Sequence, residues 1–132
     1  MKEPTWLDTR DALAIHERML ALNGGATGVR DNGLLESALA RPRHQFAYAS
    51  PSIVEMAAAY TAGIVQNHPF IDGNKRTGFV VGVLFLEMNG FAFTASEAEA
   101  AQAVLELAAG SIDETGFAAF LRDHTKRARK RP

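Results

Sequence analysis

This 132-residue chain has no cysteine, which excludes disulfides, thiol nucleophiles and cysteine-based zinc or iron–sulfur sites. It has no uninterrupted apolar run near the roughly 18 residues that a membrane span requires. Met1 to Trp6 carries no apolar core of the secretory type. It has almost no net charge, formally -1, so no global field draws it to nucleic acid. Internal repeats and heptad seams are missing, and so are a Walker A loop, a His-Arg-Asp loop and an Asp-Phe-Gly. What remains is 47% apolar and 22% charged, the composition of one globular domain with a core of its own. A soluble, cytoplasmic protein with no membrane partner is the expectation.

Helical signals run the length of the chain. Asp8 or Thr9 can cap a first helix to about Asn23, with Ala12, Ile15, Met19 and Leu22 at helical spacing and Gly24-Gly25 ending it. His16 lies inside that helix and reads as a packing or hydrogen-bonding residue. Asp31 or Asn32 caps a second, in which Leu34, Leu35, Ala38 and Leu39 keep helical spacing until Pro42 should stop it. Arg43 to Ala49 shows no such periodicity and reads as a connector. Ser50-Pro51 looks like an N-cap with proline at the first helical position, and Ile53, Met56, Ala57, Tyr60, Ile64 and Val65 follow on one face of a third helix.

A fourth helix runs from Asn74 to Asn89-Gly90 with Val80, Val83, Leu84 and Met88 along it. Gly78 and Gly82, four apart, would let another helix approach closely. Apolar on several sides, it reads as the central buried helix of a small bundle. Phe91 to Thr94 alternates like a short extended piece. Ser96-Glu97-Ala98-Glu99 is a capping box for a fifth helix ending at Gly110, and Ser111 to Glu114 opens a sixth carrying Phe117, Phe120 and Leu121. The class is all-α: a domain over residues 1–125, then a basic tail, 126–132, as the one place that could contact nucleic acid.

The chemistry is concentrated in His68-Pro69-Phe70-Ile71-Asp72-Gly73-Asn74-Lys75-Arg76, a loop between the third and fourth helices. The first backbone N–H groups of a helix have no intrahelical partner and carry the positive end of its dipole, which suits a phosphate. Gly73 removes the side chain that would block close approach. A histidine such as His68 can take a proton from a hydroxyl near neutral pH. Asp72 offers a hard oxygen to Mg2+ already held by nucleotide phosphates. Lys75 and Arg76 add a point charge and a planar fork for phosphate oxygens. Pro69 cannot continue the preceding helix, and Phe70 is the residue placed to pin the loop into the core. Together these groups suit transfer of a phosphorus-containing group to a hydroxyl.

The nine residues resemble the signature of the Fic/Doc superfamily: His-Pro-Phe, any residue, Asp or Glu, Gly-Asn-Gly or Gly-Asn-Lys, then Arg. Ala14 to Glu17, Gly28 to Leu39 and Leu84 to Gly90 resemble its death-on-curing (Doc) branch, the toxins of toxin–antitoxin pairs. The resemblance covers about Leu13 to Leu121. It implies a Fic-like helical bundle, ATP and Mg2+ as cofactors, and transfer of the γ-phosphate to a threonine or serine of a protein target such as elongation factor Tu, stopping translation. It also implies that His68 is the catalytic base, that Asp72 binds the metal and that Gly73, Asn74, Lys75 and Arg76 hold the nucleotide phosphates. The region of Phe46 and Tyr48 would correspond to a flap that holds the target segment in extended form.

Two alternatives stand beside that reading. AMP-transferring members are similar in having a glycine where this chain has Lys75 and a second arginine where it has Phe79, whereas Pro69 follows their form of the motif. A binding module that holds nucleotide without reacting would need neither His68 nor Asp72. Self-restrained members carry a Ser or Thr, three residues, then Glu followed by Gly or Asn. The nearest match, Thr27 to Asn32, has Asp31 in place of the glutamate, so restraint is expected from a separate antitoxin of the prevent-host-death type.

Overall fold

The computed structural model describes residues 2–128. Six helices, α1 (Thr9–Asn23), α2 (Asn32–Tyr48), α3 (Ile53–Asn67), α4 (Asn74–Met88), α5 (Glu97–Ala109) and α6 (Glu114–Asp123), pack with a two-stranded ribbon of β1 (Phe91–Phe93) and β2 (Thr125–Arg127). The all-α class holds, with the alternating Phe91 to Phe93 piece as β1. Its partner is the start of the basic tail: Lys126 lies opposite Ala92, and Arg127 opposite Phe91 with its guanidinium over that ring. Residues 129–132 of that tail lie outside the described residues.

Caps account for where the helices begin. Asp8 and Asp11 exchange side-chain and backbone bonds at α1, and Ser96 and Glu99 do the same at α5. Asp31 caps α2 and Asp113 caps α6. The third helix begins two residues later than Ser50-Pro51 suggested, because Ser52 and Glu55 form a complete capping box. That box holds the Glu55 carboxyl below the usual range through the N–H of Ser52.

The fully enclosed helix is α3, not α4: eleven of its fifteen residues are buried, so it is covered on all sides. Tyr60, fully buried, accepts from the Leu7 N–H (3.1 Å) and donates to the Leu7 carbonyl (3.2 Å), fixing the N-terminal segment on the core. Burial pushes its phenol up from the ordinary value. The buried face of α4 runs through Thr77, Gly78, Val81, Gly82, Phe85 and Leu86, whereas Val80 and Val83 are only half-buried and face a cleft. In α1 the buried positions are Ala12 and His16, and Leu22 is 64% exposed.

Proline does not stop α2. The helix continues through Pro42 to Tyr48, although an interior proline costs about 3 kcal/mol on average. Tertiary contacts hold the extra turns. Pro42 is buried, Arg41 and Gln45 both reach Glu114 on α6 (2.6 and 3.1 Å), and Phe46 packs edge-on against Trp6 at 5.8 Å.

Consecutive helices α3 and α4 run antiparallel and approach closely through two glycines. Thr61 donates from Oγ1 to the Gly78 carbonyl at 2.7 Å. A Cβ at Gly78 would lie 3.2 Å from the Thr61 carbonyl, and one at Gly82 would fall on Thr61 Oγ1, 3.0 Å from the Ala57 carbonyl. Gly82→Ala should therefore lower stability by about 1–3 kcal/mol through overpacking, despite the gain of about 1 kcal/mol that alanine brings to a helix interior. Urea denaturation checks this, and equal or greater stability would show that the two helices can part at no cost.

Candidate active site

The loop between α3 and α4 is built around a buried ring. Phe70 is 1% exposed and stacks on His16 of α1, with centroids 3.8 Å apart and planes within 7°. The Asn74 side chain clasps the Phe70 backbone: its Oδ1 accepts from the Phe70 N–H and its Nδ2 donates to the Phe70 carbonyl, both at 2.9 Å. His16, itself 4% exposed, donates from Nε2 to the Asp72 carbonyl at 2.8 Å. Phe70 is thus held between α1 and the first residue of α4. Both polar atoms of the Asn74 side chain bond the loop backbone.

A second strand of chain braces the loop from outside. Val29 forms an antiparallel bridge with Phe70, and the Ile71 N–H donates to the Gly28 carbonyl at 3.1 Å. Asp72 accepts from its neighbour Gly73 N–H at 2.8 Å through Oδ1 and from the Ala26 N–H at 3.2 Å through Oδ2. Gly25 leaves room for this: a Cβ there would lie 2.9 Å from Asp72 Oδ2, and its φ of +125° suits glycine. Asp31 is used as the α2 cap, accepting from the Leu34 N–H. It is not an internal partner for Arg76.

His68 closes α3 in the left-handed region (φ 50°, ψ 55°), and its side chain is exposed. Gly73, also left-handed at φ 81°, opens α4 with no side chain capping it. Its first turn carries exposed Lys75 and Arg76, neither ion-paired among the described residues. Two cations there oppose the helix dipole unless an anion meets them.

His68, Asp72, Gly73, Asn74, Lys75 and Arg76 all border one cleft of about 970 Å³. Its far wall is apolar, from Phe79, Val80 and Val83 of α4 to Val104 and Leu105 of α5. Phe79 meets Phe93 edge-on at 5.6 Å in that wall. Phe46 and Tyr48 do not reach the cleft. The expected extended flap at Arg43 to Ala49 is the last turns of α2, where Phe46 packs on Trp6 and Tyr48 is 90% exposed.

Asp72 could give an oxygen to a divalent ion, but no group of three or more His, Asp or Glu gathers here among the described residues. Such an ion would need nucleotide oxygens as its other ligands. The helical spacing of His16 with Ala12 was the signal that it faces inward, though not what it faces.

The family model for "Fic/DOC family" matches residues 6–86, well over half the chain. The chain belongs to the Fic/DOC family. Its relatives include "Protein kinase doc" of Escherichia phage P1, 30% identical over 117 residues, covering 88% of this chain and 92% of that protein. Another is "Toxin Doc" of Mycolicibacterium smegmatis, 42% identical over 69 residues, a match spanning 51% of this chain and 53% of the toxin. No helix among the described residues is long and apolar enough to cross a membrane.

The clasp on Phe70 sets the first expectation for this Fic/DOC site. Asn74→Ala leaves a buried N–H and a buried carbonyl unpaired and should cost about 2 kcal/mol or more. Amide exchange should rise across residues 70–73 while α5 and α6 stay protected, and unchanged exchange in the loop would remove Asn74 from that role.

Proposed function

We propose that this protein is a Doc-type toxin that transfers the γ-phosphate of ATP to a threonine or serine hydroxyl of a protein target, with elongation factor Tu as the candidate. The observation that carries the reading is the uncapped start of α4, with its two unpaired cations, sharing a cleft with the exposed His68 and Asp72. The names of these two relatives, a toxin and a protein kinase, support the same assignment.

In this reading the N–H groups of the first turn of α4, with Lys75 and Arg76, bind the terminal phosphates. Asp72 would contribute one ligand to Mg2+, which would supply charge neutralisation at the phosphate oxygens. The target hydroxyl oxygen forms a bond to the γ-phosphorus in line with the bond that breaks to the bridging oxygen of ADP. His68 accepts the hydroxyl proton. Restraint falls to a separate antitoxin of the prevent-host-death type, since no carboxylate pairs with Arg76 among the described residues.

AMP transfer is the runner-up on the strength of Pro69. Phe79 weighs against it: one turn beyond Lys75 it offers an aromatic edge held by Phe93, where an inner phosphate would need a cation. Transfer from ATP labelled in the α or the γ position to elongation factor Tu separates the two. Label from the α position in the product would overturn the kinase reading, and nucleotide binding without label in any protein would favour the binding module.

His68 is exposed, so His68→Ala should fold normally and lose about 10²- to 10⁴-fold in transfer rate. A rate near that of the unaltered protein would remove it as the base. Lys75→Gly should lose γ-transfer without gaining AMP transfer, because Phe79 remains. Mass spectrometry of the target reads the outcome, and an AMP adduct would show that Lys75 alone selects the phosphate.

A further inference from the structure

We propose that Arg30 is a positioning residue for His68, an inference that rests on His68 being the base. Arg30 donates to three successive carbonyls at the end of α3. Its Nη2 reaches Asn67 O at 2.8 Å, its Nε reaches His68 O at 2.7 Å and its backbone N–H reaches Pro69 O at 2.7 Å. The Asp31 N–H adds a second bond to Pro69 O at 3.1 Å.

These bonds hold a backbone that would not hold itself. His68 is the one non-glycine residue with positive φ among the described residues, a conformation that side chains other than glycine, asparagine and aspartate seldom adopt. The His68 side chain has no hydrogen bond to the protein among the described residues. The φ and ψ that Arg30 pins therefore fix the Cα–Cβ bond from which the imidazole hangs, and with it the arc the ring can reach.

A guanidinium suits the task better than an ammonium. Its planar fork spans two adjacent carbonyls from fixed directions, and its charge meets the negative end of the α3 dipole. Arg30 is exposed and forms no ion pair with a carboxylate among the described residues. Its hydrogen-bonding capacity is directed at these carbonyls. Loss of the clamp leaves the phosphate-binding turn of α4 in place, because Asn74, Phe70 and His16 hold that side of the loop independently. Turnover and nucleotide binding should therefore separate.

The test compares Arg30→Ala and Arg30→Lys with the unaltered protein, using Mg-ATP and elongation factor Tu, and reads the His68 imidazole by NMR in the nucleotide-free protein. For Arg30→Ala, kcat should fall by about 10²-fold, the scale of a misplaced reacting group, with KM for Mg-ATP within about twofold. The His68 ring signals should broaden or split. Arg30→Lys should recover melting temperature but little of kcat. Tyr60→Phe serves as a variant destabilised elsewhere, and it should keep kcat and the His68 signals.

Unchanged kcat in Arg30→Ala, or unchanged ring signals, would overturn the inference. So would a rise in KM alone, or full recovery by lysine. If His68→Ala keeps full activity, the base assignment fails instead, and the NMR comparison still decides whether Arg30 orders His68.

Discussion

The close contact of α3 with α4 is the constraint on which the site depends. Gly78 and Gly82 present no side chain to Thr61 and Ala57, so the two backbones approach closely and Thr61 can bond the Gly78 carbonyl. The connection between them is then only residues 68–73, too short to wander. It brings the negative end of one helix beside the positive end of the next. The two ends are treated differently. The carbonyls closing α3 are taken up by Arg30, and the N–H groups opening α4 are left towards the cleft.

Within the motif, buried and exposed residues divide the work. Phe70 and Asn74 are buried and hold the backbone, with His16 stacked on Phe70. His68, Asp72, Lys75 and Arg76 are exposed at the cleft. Desolvation thus falls on an aromatic ring and a satisfied amide, while the ionisable groups stay in water until a ligand arrives. A charged group at the Phe70 position would reverse that arrangement.

The cleft itself has one polar, charged side and one largely apolar side. Helix α4 serves both sides, since its first turn carries Lys75 and Arg76 and its next turns carry Phe79, Val80 and Val83. Apolar side chains on the cleft side and a small-residue face on the core side make the helix look hydrophobic all round. Its sequence alone therefore suggests a buried rod where the molecule has a wall.

Local chemistry was legible in the sequence. Asp8, Asp31 and Ser96 begin their helices as written, because a cap needs only side chains within three residues of the N–H groups it satisfies. The site residues were legible for a similar reason, since His68, Asp72, Lys75 and Arg76 lie within nine residues of one another and border one cleft. Tertiary structure decided what rests on long-range partners. Pro42 stays helical because Glu114 and Trp6 hold the turn beyond it, which turned an expected flap into helix and moved Phe46 and Tyr48 away from the cleft. His16 and Arg30, 56 and 38 residues from their partners in the loop, took their roles only once α1 and the segment before α2 were packed against it. Spacing along one helix says that a side chain faces inward, but which backbone it meets depends on how the other helices are laid beside it.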